Sequence, residues 1–167
     1  MFRRVADFQR SWKFESESTR KLFLGLSDAS LAQAIGPDGR TLGRLAWHIT
    51  CTVREMMERT GLEVAGPEYE SPVPATVQAI ADAYQASAQS LTEQVARWDD
   101  ATLEQKDPMY GGEHWPRGVT LAALIGHQTH HRGQMTVLMR QAGLRVPGVM
   151  GPAREDWASM GMPIPTV

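Results

Sequence analysis

The chain has 167 residues, which is enough for one domain to bury a substantial core without disulfides or structural metals. Its formal net charge is −2 and its lysines and arginines are scattered, so neither nucleic-acid binding nor an extended basic surface is expected. The single cysteine, Cys51, excludes an intramolecular disulfide and favours a cytoplasmic protein, and we expect no secretory signal and no membrane span.

The first predicted helix covers residues 2–26. Its apolar residues recur at helical spacing, but Glu15 and Thr19 lie on the same stripe. Polar residues at these positions predict either a wet or charged lining inside the fold or a solvated stretch of a loosely amphipathic helix. Gly25 and the turn GPDG at 36–39 separate this helix from the next.

The second predicted helix begins after Thr41, a good N-cap residue, and ends at Gly61. His48 lies at the edge of its apolar stripe. Taken alone it indicates a structural histidine; together with two histidines near the C-terminus it becomes a candidate metal ligand. Glu55, two turns later, is expected to be a surface charge. Cys51 is expected to be a small packed residue, and a role as an extra ligand stays open.

The middle of the chain contains a linker, a helix and a loop. The proline-marked linker at 66–74 has a length that suits a crossover better than a tight hairpin. The third predicted helix, 75–98, has one apolar face and is interpreted as structural. Residues 106–118 predict an ordered loop or short hairpin, in which His114 is either solvent-exposed or close to the mouth of a site. A short helix is expected around 153–159.

The fourth predicted helix, residues 120–141, carries the clearest functional pattern. His127 and His131 lie on its apolar face, roughly 6 Å apart along the axis, and two imidazoles placed in this way can bind one metal ion. His130 falls beside the stripe and is expected at its edge or in water, although a pair of His127 and His130 is also sterically allowed. Ordinary core histidines, hydrogen-bonded through both ring nitrogens, are the alternative.

Four amphipathic helices with a long second connection predict an all-α fold, a four-helix bundle with a crossover connection, in a single domain of residues 1–167. The second and fourth helices would then bring His48 against His127 and His131. Three neutral imidazoles leave positions open for water or substrate, as in catalytic zinc or nickel sites.

Several segments carry a resemblance to a known family. TLGRLAWHIT in the second helix, HQTHHRGQM in the fourth and VPGVMGP in the tail, supported by WKFESEST in the first helix, together resemble the DinB/YfiT-like family of metalloenzymes. Met150 stands where the family pattern leads us to expect an aromatic residue. The resemblance implies a four-helix bundle, often dimeric, with a divalent metal held by His48, His127 and His131.

The resemblance also implies a class of reaction. Members with assigned activities are thiol-dependent transferases or isomerases that use low-molecular-weight thiols. Glu15 and Thr19 would face the interior near the metal, behind its ligands or beside the substrate. We therefore expect a homodimeric, metal-dependent S-transferase acting on a small electrophile.

Other interpretations stay open. Arg44, Arg117 and Arg132 are candidates for binding the charged tail of a thiol. A metal-dependent hydrolase is one alternative. A non-catalytic, stress-related bundle with a structural metal is another, and a fourth ligand from Cys51 or His114 would favour it.

Overall fold

The computed structural model describes residues 1–166; Val167, the last residue of the predicted domain, lies outside the described part. Most of the chain forms four long helices, and the only sheet in the described residues is one short two-stranded hairpin. The helices are α1 (Val5–Phe23), α2 (Leu42–Glu58), α3 (Val77–Val95) and α4 (Arg117–Gln141). This architecture confirms the predicted fold class.

The order of the helices around the bundle differs from their order in the chain. α1 packs mainly against α3 and α4, and α2 packs mainly against the same two helices, so α1 and α2 occupy opposite corners. Asp100, which follows α3, accepts a hydrogen bond from the N–H of Val5 at the start of α1. The N–H of Phe2 bonds the carbonyl of Gly118 at the start of α4. Hence α1 is antiparallel to α3 and parallel to α4.

The connection between α2 and α3 is the predicted crossover. The N–H of Ala65, beyond the end of α2, bonds Oγ of Ser90 near the end of α3. The chain then turns back, and the indole Nε1 of Trp47, near the start of α2, donates to the carbonyl of Ser71 at 3.0 Å. The linker thus runs along the bundle before α3 begins, which makes α2 and α3 parallel.

The remaining boundaries refine the sequence predictions. Strand β1 (Lys106–Pro108) pairs antiparallel with β2 (His114–Pro116), as expected for a short hairpin. α4 starts directly after β2, three residues earlier than predicted. The prediction of a short helix around 153–159 is wrong. Residues 154–157 form turns, and the only helical segment here is a 3₁₀ turn at Ala158–Met160. A side chain closes these turns, because Asp156 accepts hydrogen bonds from the backbone N–H groups of residues 148 and 153.

The core lies between the four helices, and α2 is its most deeply buried member. Every residue of α2 from Leu45 to Val53 is buried, which leaves His48 in an interior position. Thr41 caps this helix as predicted, because its Oγ1 accepts a hydrogen bond from the N–H of Arg44 at 3.1 Å. Among the described residues, none of the helices is both long and apolar enough to cross a membrane.

Candidate metal centre

Three imidazoles converge between α2 and α4. The Nε2 atom of His127 lies 3.1 Å from Nε2 of His48 and 3.1 Å from Nε2 of His131. One nitrogen from each ring lies within 4.8 Å of the other two. Two ligands of a tetrahedral ion with bonds of about 2.0–2.1 Å lie roughly 3.3 Å apart, so this spacing suits one shared metal ion. The structure therefore brings together the three histidines that the sequence singles out.

Hydrogen bonding alone does not account for this arrangement. In a neutral imidazole each ring nitrogen carries either one hydrogen or one lone pair in the ring plane. Nε2 of His127 has two nitrogen neighbours at 3.1 Å, and it can form an in-plane hydrogen bond with only one of them. A cation would accept the lone pairs of all three nitrogens at once. The donor set thus fits a divalent metal.

Gln134 fixes the tautomer of one ring. Its Oε1, which can only accept, lies 2.6 Å from Nδ1 of His131 and therefore receives the Nδ1–H. The lone pair of neutral His131 is then on Nε2, which points at the other two rings. Nδ1 of His127 is buried and has no hydrogen-bond partner among residues 1–166. The second ring is thus held by packing and by its Nε2 contacts.

Burial also keeps the rings neutral. Loss of solvation, helped by the neighbouring rings and by Arg40, lowers the pKa of His48 to about 3 and that of His127 to about 4. Burial lowers the pKa of His131 too, against the opposing effect of its bond to Gln134. Neutral imidazoles are the form that binds metals.

The other candidate ligands lie outside the cluster. His130 is exposed, with its ring centroid 4.9 Å from that of His131, and His114 is exposed on β2. Cys51 is buried in the core, where loss of solvation raises the pKa of its thiol. Within residues 1–166, the group that could hold a metal contains only the three histidines. The described part of the site thus leaves coordination positions open, unlike a closed structural site.

Glu15 and Thr19 are buried between α1 and α4, where both contact Arg132. The guanidinium of Arg132 forms an ion pair with the carboxylate of Glu15 and donates to Oγ1 of Thr19 at 2.9 Å. Among the described residues, neither side chain hydrogen-bonds a metal-site histidine. Both face the interior, as expected, and their common partner Arg132 is the residue that follows His131 in the chain.

Gln128 is a buried residue that sequence reasoning missed. It accepts a hydrogen bond from the hydroxyl of Tyr84 on α3 at 3.0 Å, and its Nε2 donates to the carbonyl of Ile49 on α2 at 3.0 Å. Ile49 follows His48, and Gln128 follows His127. Its amide therefore holds α2 and α4 together one residue away from two of the histidines. The available signal was a polar residue directly beside His127, on the face of the helix that packs into the bundle.

The arginines divide into paired and unpaired groups. Arg117 forms an ion pair with Asp107 at 2.9 Å, and Arg132 is paired with Glu15, so neither is free for a ligand. Arg44 and a residue that sequence reasoning missed, Arg40, lie close enough to His48 to lower its pKa. Arg40 also lines a cavity of about 330 Å³ together with Gln134.

A second cavity opens on the other side of the centre. Its volume is about 600 Å³, and His48 and His127 form part of its wall. Tyr69, Tyr110 and Trp115 also line it. The aromatic residues come from the linker after α2 and from the loop and second strand of the hairpin, so local sequence gave no signal that they meet.

Comparison with known proteins finds a matching family model and a relative that is similar over nearly the whole chain. The family model described as the DinB family matches residues 1–165. A protein of Bacillus subtilis (strain 168), described as uncharacterized protein YrdA, is 43% identical over 166 residues, covering 99% of each chain.

The similar solved structures include two DinB-like proteins. A DinB-like protein from Bacillus cereus ATCC 10987 has a TM-score of 0.81 and 43% identity, with 89% of this chain and 99% of that chain covered. The DinB-like protein YjoA from Bacillus subtilis has a TM-score of 0.69 over 86% of this chain and 97% of that chain, and its 14% identity supports the fold alone.

Proposed function

The chain belongs to the DinB family, and we propose that it is a divalent-metal-dependent enzyme, specifically an S-transferase that joins a low-molecular-weight thiol to a small electrophile. The observation that carries the metal-binding part is the clustering of three imidazoles, in which Nε2 of His127 lies 3.1 Å from Nε2 of each of the other two rings. The absence of a fourth protein ligand in the described residues supports catalysis over a structural role.

Zinc or nickel is the proposed metal, because three neutral imidazoles suit both ions. The chemistry that such an ion supplies when bound is Lewis acidity, which lowers the pKa of a thiol or water placed beside it. His48, His127 and His131 would hold the ion, and Gln134 keeps the lone pair of His131 directed at it. His48 and His131 are buried, whereas His127 is half-buried and lines a cavity.

The surroundings of the histidines support an anionic co-substrate. Arg40 lowers the pKa of all three histidines, and among residues 1–166 no carboxylate forms an ion pair with it. Its cavity adjoins the centre through Gln134. We propose that this side binds the carboxylate of the thiol while the sulfur approaches the histidines.

The first experiment is metal analysis of protein purified without a histidine tag. We expect about one equivalent of zinc or nickel in the wild type and in His130→Ala, and almost none in His131→Ala. His130 is the matched control because it is the exposed neighbour of His131 on the same helix. Metal-free wild-type protein that takes up no ion would overturn the proposal.

The second experiment distinguishes thiol transfer from hydrolysis. The loss of free thiol is followed with glutathione and a small chloro-nitroaromatic electrophile, with and without the metal. Thiol consumption that needs both the protein and its metal supports an S-transferase. Turnover of an ester in the absence of thiol would instead indicate the hydrolase, and a metal-loaded protein inactive in both assays would favour a non-catalytic bundle.

We also propose a homodimer. Phe14 on α1 and Leu24, the residue directly after α1, are each about half exposed (51% and 49%), which supports an apolar contact between two copies. Light scattering behind a sizing column measures the mass directly. A mass of one chain at micromolar concentration would overturn this part.

A further inference from the structure

We propose that the cavity beside His48 and His127 binds an uncharged, planar aromatic group whose polar end reaches the three-histidine centre. This inference rests on the proposed function and adds the chemical class of the second substrate. The cavity volume of about 600 Å³ lies in the range of small-molecule sites.

The two ends of the cavity differ: one contains histidines of the candidate metal centre, and the other contains an ion pair. His48 and His127 lie at the first end, and Glu55 lies towards the second. Glu55 follows His48 by seven residues on α2, which corresponds to roughly 10 Å along the helix axis. This length accommodates one aromatic ring and a polar group attached to it.

Aromatic side chains form the walls. The ring of Tyr69 stands edge-on to His48 with centroids 5.9 Å apart, and the rings of Tyr110 and Trp115 meet edge-to-face at the same distance. Tyr69 is 41% exposed and Tyr110 is 40% exposed, so both keep free surface for a ligand. Aromatic rings prefer stacked or edge-to-face partners, which favours another flat ring between them.

Hydrogen bonds hold the side chains of Tyr110 and Trp115 in place. The hydroxyl of Tyr110 donates to Oε2 of Glu55 at 2.6 Å, which fastens the hairpin loop to α2. The indole N–H of Trp115 donates to Glu113 at 2.7 Å. Burial and the nearby Glu55 raise the pKa of Tyr110, so its hydroxyl stays a donor at neutral pH. A cavity with fixed walls loses little entropy when it binds a rigid ligand.

The charges at the far end cancel. Oε1 of Glu55 pairs with Arg59 at 2.9 Å, while its other oxygen accepts from Tyr110. The guanidinium of Arg59 in turn lies 4.6 Å over the Tyr110 ring. Since both charged groups are occupied, this end offers no free ion to a charged ligand. It differs in this respect from the opposite cavity, which contains Arg40.

The test uses two hydroxamates as probes of the metal-loaded, full-length protein. Both carry the same metal-binding group, but benzohydroxamate adds a benzene ring where acetohydroxamate has a methyl group. Affinities are measured by calorimetry for the wild type, Trp115→Ala, Tyr69→Ala and Trp157→Ala. Trp157 is the matched control because it lies in the C-terminal tail and does not line the cavity.

We expect the wild type to bind benzohydroxamate about tenfold more tightly than acetohydroxamate. Trp115→Ala and Tyr69→Ala should each lose most of this preference, whereas Trp157→Ala should keep it. Metal content and helicity are checked for each variant, and Tyr69→Ala carries the test if Trp115→Ala does not fold.

Two results would overturn the inference in different ways. Equal binding of both hydroxamates by wild-type protein with one metal bound would refute the aromatic site and leave the metal centre standing. A wild type that takes up no metal would refute the proposed function itself, and this inference with it.

Discussion

Replacement of Arg132 by methionine tests the buried ion pair between α1 and α4. The side chain of Arg132 is 3% exposed and that of Glu15 is 9% exposed, so Arg132→Met leaves a buried carboxylate without its cation. The variant also removes donors to the Glu15 carbonyl and to Oγ1 of Thr19, both at 2.9 Å. Loss of one partner of a buried pair costs about 3–5 kcal/mol.

The assays are urea unfolding and thermal unfolding of the metal-free protein, both followed by circular dichroism, because bound metal would add its own stabilisation. At roughly 2–4 °C per kcal/mol for a chain of this size, the melting temperature should fall by ~6–20 °C. The double variant Glu15→Leu/Arg132→Met removes the stranded carboxylate and should be more stable than Arg132→Met alone. The effects of the two substitutions on the free energy of unfolding are therefore not expected to add.

Arg140→Met is the matched control on the same helix. Arg140 pairs with Glu155 at 3.2 Å, but its side chain is 44% exposed, so the loss should stay below about 1 kcal/mol. Equal losses for Arg132→Met and Arg140→Met would refute the reasoning. An unchanged free energy of unfolding combined with lost catalysis would show instead that Glu15 and Arg132 act on substrate.

Three further predictions concern the metal centre and the thiol of Cys51. Gln134→Leu removes the acceptor of the His131 Nδ1–H and should weaken zinc binding roughly 10- to 100-fold, measured in competition with a chromophoric chelator. The control Gln141→Leu should bind zinc as the wild type does, and equal affinities for both variants would mean that the amide of Gln134 does not orient the ring. With free metal at 100 times Kd, the wild type should be about 2.7 kcal/mol more stable than after a chelator has removed the metal. The melting temperature of His48→Ala should be the same with and without the chelator. A wild type whose stability does not change with the chelator would contradict this. Cys51 should react with iodoacetamide only after unfolding, because its thiol is buried and its pKa is raised, and Cys51→Ala should keep its metal; rapid alkylation of the native protein would contradict the buried position.

The helices could be predicted from the sequence because their signals are local. Thr41 caps α2 where its position predicts, and the spacing of His127 and His131 puts both rings on one face of α4. His48 lay at the edge of an apolar stripe, and only its combination with the other two rings marked it. The predicted packing of the second helix against the fourth gives that combination, and the family resemblance implies the same three ligands.

Contacts between distant residues had no such signal. Glu15 and Arg132 are 117 residues apart, so the sequence makes Arg132 a candidate for binding the tail of a thiol, whereas the structure pairs it with Glu15. Tyr84 lies on the helix interpreted as purely structural, yet its hydroxyl bonds Gln128 beside the centre. Periodicity shows which face of a helix is buried, but it does not show which polar side chain of another helix pairs with that face.

The arrangement of the helices has a consequence for the order of folding. His48 and His127 are 79 residues apart, and α4 is the last long helix to be synthesised. A nascent chain that ends before α4 therefore contains only one of the three imidazoles. Such long-range closure is slow compared with the formation of single helices, because loop entropy is lost before the contact forms. Binding of a metal by all three histidines would thus require α4, and a bound ion would report that this helix has packed against α2.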